Sequence, residues 1–335
     1  MTNINDVARA AGVSRGSVSN YLNGNKVSIR IREKVEQAIA ELKYIPNAAA
    51  RDLRAQDSRF VIFIIPTVWT SFFAELTYHV QEALTAKGFK MILCISNSEF
   101  TKEEEYLKLA ESQKAAGIIS ISYSQMNHHV RSGIPLVSIE KEPTGLFPLV
   151  SSDNYQGGRL ATEKLAELNC RKFIFIGTNR MTSEAMLARR QGFLDYCKEK
   201  QLNFEVFDLE SPKNRAELRF ELENIFKKFK KKKKLDGLGI FAITDEYGLL
   251  VYRILLDLKV KIPEQVQLIG FDGSKASQNE EPVLSSIRQP IEQIAAAAVK
   301  ALKDEIAQGK ARQLDEKPNR LYIPVSYIAG KTTRA

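Results

Sequence analysis

The sequence predicts an α/β fold in two parts: a small helix-turn-helix head of three helices, then a two-lobed, doubly wound core. Three observations carry this. Residues 3–24 place two short amphipathic helices around a single glycine turn. Beyond residue 58 the pattern switches to apolar strand-like runs alternating with helical periods, the signature of parallel βα units. That alternation runs twice, with a break near residues 152–155.

In the head, Asn3 caps the first helix and Asp6 faces its positive end. Ile4, Val7, Ala8 and Ala11 share one helical face. Gly12 supplies the positive φ that turns the chain, and Val13 plugs the turn. Ser14 caps a second helix whose Val18, Tyr21 and Leu22 point inward. Its outer face carries Arg15, Gly16, Ser17, Ser19 and Asn20. A recognition helix presents such N-terminal residues to base edges in the major groove. A third helix over 28–44 places Val35, Ala38, Ile39 and Leu42 on one stripe and stops before Pro46. The following Pro-Asn-Ala-Ala-Ala-Arg-Asp-Leu-Arg segment is rich in helix formers but too short to hold a helix alone, so it folds only when something orders it.

The core begins with the apolar run at residues 60–65, ending at Pro66, as expected of a strand buried on both faces. Helix 73–87, strand 90–95, helix 102–113 and strands 117–121 and 135–139 complete the first half. The second half reads as helix 157–168, strand 172–177, helix 184–200, strand 204–208, helix 215–229, strand 237–243, helix 247–258 and strand 266–271. A helix over 291–308 and a last strand over 321–328 follow. Two similar halves imply a cleft with ligands held at the C-terminal ends of strands.

Composition sets the class. With 335 residues, 44% hydrophobic and 27% charged, the chain suits a soluble protein with a head and further domains. The net charge is +9, and residues 1–59 hold ten Lys/Arg against six Asp/Glu, which gives phosphate binding a salt-dependent basis. Seven lysines between 227 and 234 read as the solvated end of a helix, where cations suit the negative pole. Cys94, Cys170 and Cys197 lack metal-ligand spacing and read as reduced thiols of a cytoplasmic protein. No apolar stretch suggests a signal peptide or membrane span. No glycine-rich phosphate motif follows the first strand of either half. His79, His128 and His129 have no metal or triad context. Neither an enzyme nor a bound cofactor or metal is expected.

The strings Asp6-Val7-Ala8, Ala11-Gly12-Val13-Ser14, Ser17-Val18-Ser19, Leu22-Asn23 and Tyr44-x-Pro46-Asn47, then Ala50-Arg51-x-Leu53, make the chain resemble the lactose/galactose repressor (LacI/GalR) family of bacterial transcription regulators. The resemblance extends to Gly330. It implies a helix-turn-helix domain at 1–45 with Arg15, Gly16, Ser17 and Asn20 at the bases. A hinge helix and linker follow at 46–59, with Ala50 and Leu53 in the minor groove, where an apolar wedge kinks the duplex. Ile31 departs from the usual threonine on the third helix, which removes a phosphate contact. The core resembles periplasmic sugar-binding proteins, with an N-subdomain at 60–152 plus 288–317 and a C-subdomain at 153–287 plus 318–330. Chain crossings are expected near 152–155, 285–289 and 317–321.

The resemblance also implies an effector site of Phe72, Phe73, Glu140, Arg189, Asp245, Asp272 and Gln289. Glu140 stands in place of an aspartate and Asp245 in place of an asparagine. Carboxylates, an arginine and aromatic rings suit a polyol, so the implied effector is a sugar. A purine or nucleoside effector, a phosphorylated partner protein, or a plain solute-binding sensor remain alternatives. Trp69, the only tryptophan, either caps the pocket or shields a hinge. The implied partners are pseudo-palindromic operator DNA and a second copy of the chain. The implied assembly is a homodimer formed by the cores, because the five residues after Gly330 hold no leucine heptad.

Overall fold

The computed structural model describes residues 2–22, 25–44, 59–122, 133–141, 147–178, 183–209, 215–273, 275, 281–308 and 318–334. The expected hinge residues Ala50 and Leu53, with His128 and His129, lie outside the described residues. The chain divides into two compact units, Met1–Ser58 and Arg59–Ala335.

The head contains α1 (Ile4–Ala11), α2 (Arg15–Leu22) and α3 (Ile29–Glu41). Its boundaries are set by local chemistry. The Asn3 side chain accepts from the backbone N–H of Asn5 and Asp6, and Asp6 Oδ2 accepts from Asn3 N at 3.0 Å, closing a capping box. Gly12 ends α1 at φ 60°, and Ser14 Oγ accepts from Ser17 N at 3.1 Å. Val7, Val18 and Val35 are fully buried together. Ile31 packs against this cluster, so the residue that departs from the familiar threonine extends the apolar core.

The second unit runs through β1 (Phe60–Ile65), α4 (Ser71–Ala86), β2 (Lys90–Ile95), α5 (Phe100–Ser112), β3 (Gly117–Ser120), β4 (Leu136–Ile139) and β5 (Leu149–Ser152). The chain then crosses into α6 (Asn154–Glu167), β6 (Lys172–Thr178), α7 (Glu184–Glu199), β7 (Phe204–Leu209), α8 (Arg215–Lys231), β8 (Leu238–Ala242) and α9 (Asp245–Asp257). It closes with β9 (Val266–Asp272), β10 (Ser285–Arg288), α10 (Ile291–Gln308), β11 (Arg320–Ile323) and β12 (Ser326–Ile328). The first sheet has the order β11-β5-β4-β3-β1-β2 and is parallel throughout. The second has the order β12-β10-β9-β8-β6-β7, with only β12 antiparallel.

The central strands of each sheet are buried on both faces, which is why they read as unbroken apolar runs, while the edge strands β2, β7, β11 and β12 are partly exposed. In the first lobe, Phe63 and Ile65 pack toward α4 and α10, and Ile62 and Ile64 toward α5. In the second, Phe175, Phe193, Phe241 and Phe271 form an aromatic cluster with centroid separations of 5.5 to 6.4 Å. The helices α6 and α7 approach backbone to backbone. A Cβ at Gly158 would lie 2.0 Å from Arg189 O, and one at Gly192 2.1 Å from Tyr155 O. Only glycine admits that approach, and it fixes the helical turn that carries Arg189.

Two short strands stand where the sequence reading had none: Leu149–Ser152, and Ser285–Arg288 on the expected crossing at 285–289. Leu149–Ser152 and Arg320–Ile323 pair in parallel in the first sheet. The expected last strand over 321–328 is therefore two strands in different sheets. The third crossing falls at Pro324-Val325 rather than at 317–321, and Arg320–Ile323 belongs to the first lobe instead of the second. Pro324 explains the break, since it has no N–H to give to a ladder. Arg288 likewise sits in the second sheet, as the last residue of β10.

Burial pushes the Cys94 and Cys170 thiols up to about 11 and Cys197 to about 12, so all three are poor nucleophiles. The lysine run begins inside α8, where Lys227 pairs with Glu223 at 3.1 Å and Lys230 donates to Leu258 O at 2.6 Å. Among the described residues, no helix is long and apolar enough to cross a membrane.

Candidate functional site

A cleft of about 800 Å³ opens at the C-terminal ends of strands from both sheets. All seven core residues singled out from sequence line it: Phe72, Phe73, Glu140, Arg189, Asp245, Asp272 and Gln289. Each is placed by the end of a strand or the start of a helix. Thr70 caps α4, which begins two residues earlier than expected and carries both phenylalanines in its first turn. Thr244 caps α9, putting Asp245 at the first helical position.

Six residues close into a hydrogen-bonded ring. Glu140, at φ 62°, accepts from Ser152 N at 2.7 Å and from Asn154 Nδ2 at 2.8 Å. Asn154 Oδ1 accepts from Arg189 Nε at 2.8 Å. Arg189 Nη1 donates to Ile243 O at 3.0 Å and lies 3.5 Å from Asp272 Oδ1. Asp272 Oδ1 also accepts from Gln289 Nε2 at 2.8 Å, and Gln289 Oε1 accepts from Ser152 Oγ at 2.7 Å. The ring thus runs from the first crossing to the second. Ser152, Asn154, Arg189 and Gln289 are all buried. The Arg189 guanidinium lies 3.6 Å from the Phe271 ring centroid, a cation–π contact that fixes its plane. The ring spends Nε and Nη1 of Arg189 and Oδ1 of Asp272.

Ser152 and Asn154 were missed as site residues. In the sequence they read only as part of the crossing near 152–155, and no local signal tells a buried asparagine from a turn residue.

The carboxylates differ in their freedom. Asp245 Oδ2 accepts from Gly273 N at 2.7 Å and its Oδ1 from Ser286 Oγ at 2.6 Å, so both oxygens hold second-lobe groups in place. Asp272 sits at φ 120°, a strained conformation for a residue with a side chain. Burial pushes its carboxyl up to about 6, against the pull of Arg189. Burial, then the Asp272 charge, raise Asp245 well above the ordinary carboxylate range.

The aromatic residues divide by exposure. Phe72 and Phe73 are 7% and 8% exposed and join the first lobe's core, offering the cleft only an edge. Trp69, at 93% exposure, is the open aromatic surface on the cleft lining.

In the head, Arg15, Gly16 and Asn20 are exposed on α2, while Ser17 is half-buried with its hydroxyl 3.0 Å from that of Ser14. Asn20 Oδ1 accepts from Asn25 Nδ2 at 3.3 Å, which orients its amide.

A helix-turn-helix head on a two-lobed core with a polar interlobe cleft defines a class, the regulatory proteins built on a periplasmic-binding frame. Residues 3–47 match the model of bacterial regulatory proteins of the lacI family, and residues 162–333 match the periplasmic binding protein-like domain. The chain is 32% identical over 332 residues to the sucrose operon repressor of Pediococcus pentosaceus, covering 98% of each chain. A periplasmic binding protein/LacI transcriptional regulator from Alkaliphilus metalliredigens, complexed with D-xylulofuranose, is 30% identical. Its TM-score is 0.69, over 83% of this chain and 100% of that one. The lac repressor dimer bound to operator and an anti-inducer shares the fold at a TM-score of 0.84, with 21% identity over 100% and 99% of the two chains. The chain belongs to the lacI family of bacterial regulatory proteins.

Proposed function

We propose that the chain is a transcriptional repressor whose operator affinity is set by a sugar bound in the interlobe cleft. The observation that carries this is the closed ring around Arg189 and Asp272. It orients a guanidinium and a carboxylate into one cleft. A guanidinium donates to ring and hydroxyl oxygens, and a carboxylate accepts from hydroxyl hydrogens, which together suit neighbouring hydroxyls of a sugar. Trp69 offers an apolar face for a pyranose or furanose C–H surface. The relative named for the sucrose operon and the neighbour holding D-xylulofuranose support the same class of effector.

On the DNA side, Arg15 is the donor for guanine O6 and N7, and Asn20 the partner for adenine. Ala50 and Leu53 are the hinge residues of this reading. The working assembly is a homodimer, since a two-fold operator calls for a two-fold protein. The lac repressor dimer bound to operator supports it.

A thermal-shift series on the full chain tests the effector. A sugar at 100 times its Kd stabilises by about 2.7 kcal/mol. Stabilisation by nucleobases or nucleosides and not by sugars overturns the effector assignment. For the head, Arg15→Ala is expected to cost about 1–3 kcal/mol on the operator while sparing random duplex. Equal losses on both, measured by fluorescence anisotropy, would reduce Arg15 to a phosphate contact.

A further inference from the structure

Beside the cleft, and outside its lining, Glu75 joins the two lobes. It lies in α4 of the first lobe, one turn beyond Ser71. Its Oε2 accepts from Arg288 Nη1 at 2.9 Å and from the backbone N–H of Lys275 at 3.2 Å, and its Oε1 takes the other arm of the Arg288 fork. Both partners belong to the second lobe. Arg288 ends β10, Lys275 follows β9, and Arg288 Nη1 also donates to Gly273 O at 2.8 Å. The pair is sheltered, with the Glu75 and Arg288 side chains 15% and 24% exposed. Burial opposes the Glu75 charge, but the Arg288 hydrogen bonds and charge prevail and hold its carboxyl below the ordinary range. His79, one turn further along α4, stands 4.0 Å away.

We propose that the Glu75–Arg288 pair is an interlobe clasp that sets the angle between the lobes and reports cleft occupancy along the chain from Arg288 to Gln289. The inference rests on the effector reading above. Any hinge motion that carries α4 away from the β9–β10 segment must break a bidentate charged pair and a backbone hydrogen bond together. Such a contact is made or lost as a unit, as a two-state element requires. The next residue, Gln289, bonds Asp272 and Ser152, so the clasp and the ring share one strand end. Glu75 is a positioning residue, acting on the effector site only through Arg288.

The test uses the full-length chain labelled at Glu82→Cys and Lys198→Cys, one exposed position on each lobe, since the three native thiols are buried. The interlobe distance distribution is read by electron spin resonance with neither sugar nor DNA present. Glu75→Gln keeps the shape and removes the charge. It is expected to shift the distribution toward longer distances and to weaken sugar binding about ten-fold, because the competent lobe angle becomes less populated. The charge swap Glu75→Arg with Arg288→Glu is expected to bring both readouts back toward wild type. An unchanged distribution in Glu75→Gln overturns the clasp, and so does a folded charge-swap variant that restores neither readout. A chain that binds no sugar at all sinks the effector reading and leaves the distance measurement intact.

Discussion

Arg189→Ala is expected to abolish the response to effector while operator binding persists. Arg189 carries the ring: it holds Asn154, caps the Ile243 carbonyl, approaches Asp272 and stacks on Phe271. Its removal deprives the ligand of a charged donor and leaves Asp272 and Asp245 without their nearby positive charge. Truncating one member of a buried, hydrogen-bonded charged set costs about 2–5 kcal/mol, so effector affinity should fall roughly 30-fold or more. Arg189→Lys should not restore it, because an ammonium cannot reproduce the planar fork. Calorimetric titration with the sugar gives the loss directly. A variant that responds at the wild-type effector concentration removes Arg189 from the site.

Asp272→Asn is expected to make the ligand-free protein more stable at alkaline pH while weakening its grip on sugar. The Asp272 carboxyl titrates near 6 in the folded protein against 3.8 as its ordinary value, because burial disfavours its charge. Between those values the native state keeps a proton that the unfolded chain has released. Stability therefore falls as pH rises through this window, and the full cost is present above pH 6. A shift of about two units corresponds to roughly 3 kcal/mol. Asp245 is also raised and interacts with Asp272, so the midpoint belongs to the pair. Urea unfolding should show the Asn variant ahead of wild type at pH 8, with the gap closing toward pH 4. A variant less stable than wild type at pH 8 would show that the Asp272 charge supports the fold. The strained φ of Asp272 points the same way, to a position where stability is given up for a binding group.

Much of the frame was legible because its signals are local. Asn3, Gly12 and Ser14 bound the head's helices within three or four residues of themselves, and the runs at 60–65 and 172–177 can only be buried strands. Strands β5 and β10 were not legible, and β11 was legible only as part of one longer strand with β12. β5 and β10 are each four residues long, β5 ends and β10 begins with two serines, and each is a strand because it lies between two others, β5 between β4 and β11 and β10 between β9 and β12. The misplaced third crossing followed from reading β11 and β12 as one strand.

The site divides in the same way. Arg189 and Asp272 were expected at the site from the family resemblance. The parts played by Ser152 and Asn154 arise only from tertiary contact. Asp245 was expected to face the effector, yet its oxygens are taken by Gly273 and Ser286, a distinction of geometry and not of residue type.

The central claim is that occupancy of the cleft changes affinity for DNA. The most direct test is fluorescence anisotropy of the full chain on its operator at fixed salt, with the operator first obtained by selection from random duplexes. Titrations are run without sugar and at a saturating concentration of a sugar that stabilises the protein. The account predicts a 5–150-fold change in operator affinity, equivalent to about 1–3 kcal/mol of coupling, with affinity for random duplex little altered. The same operator affinity with the cleft empty and filled would contradict it.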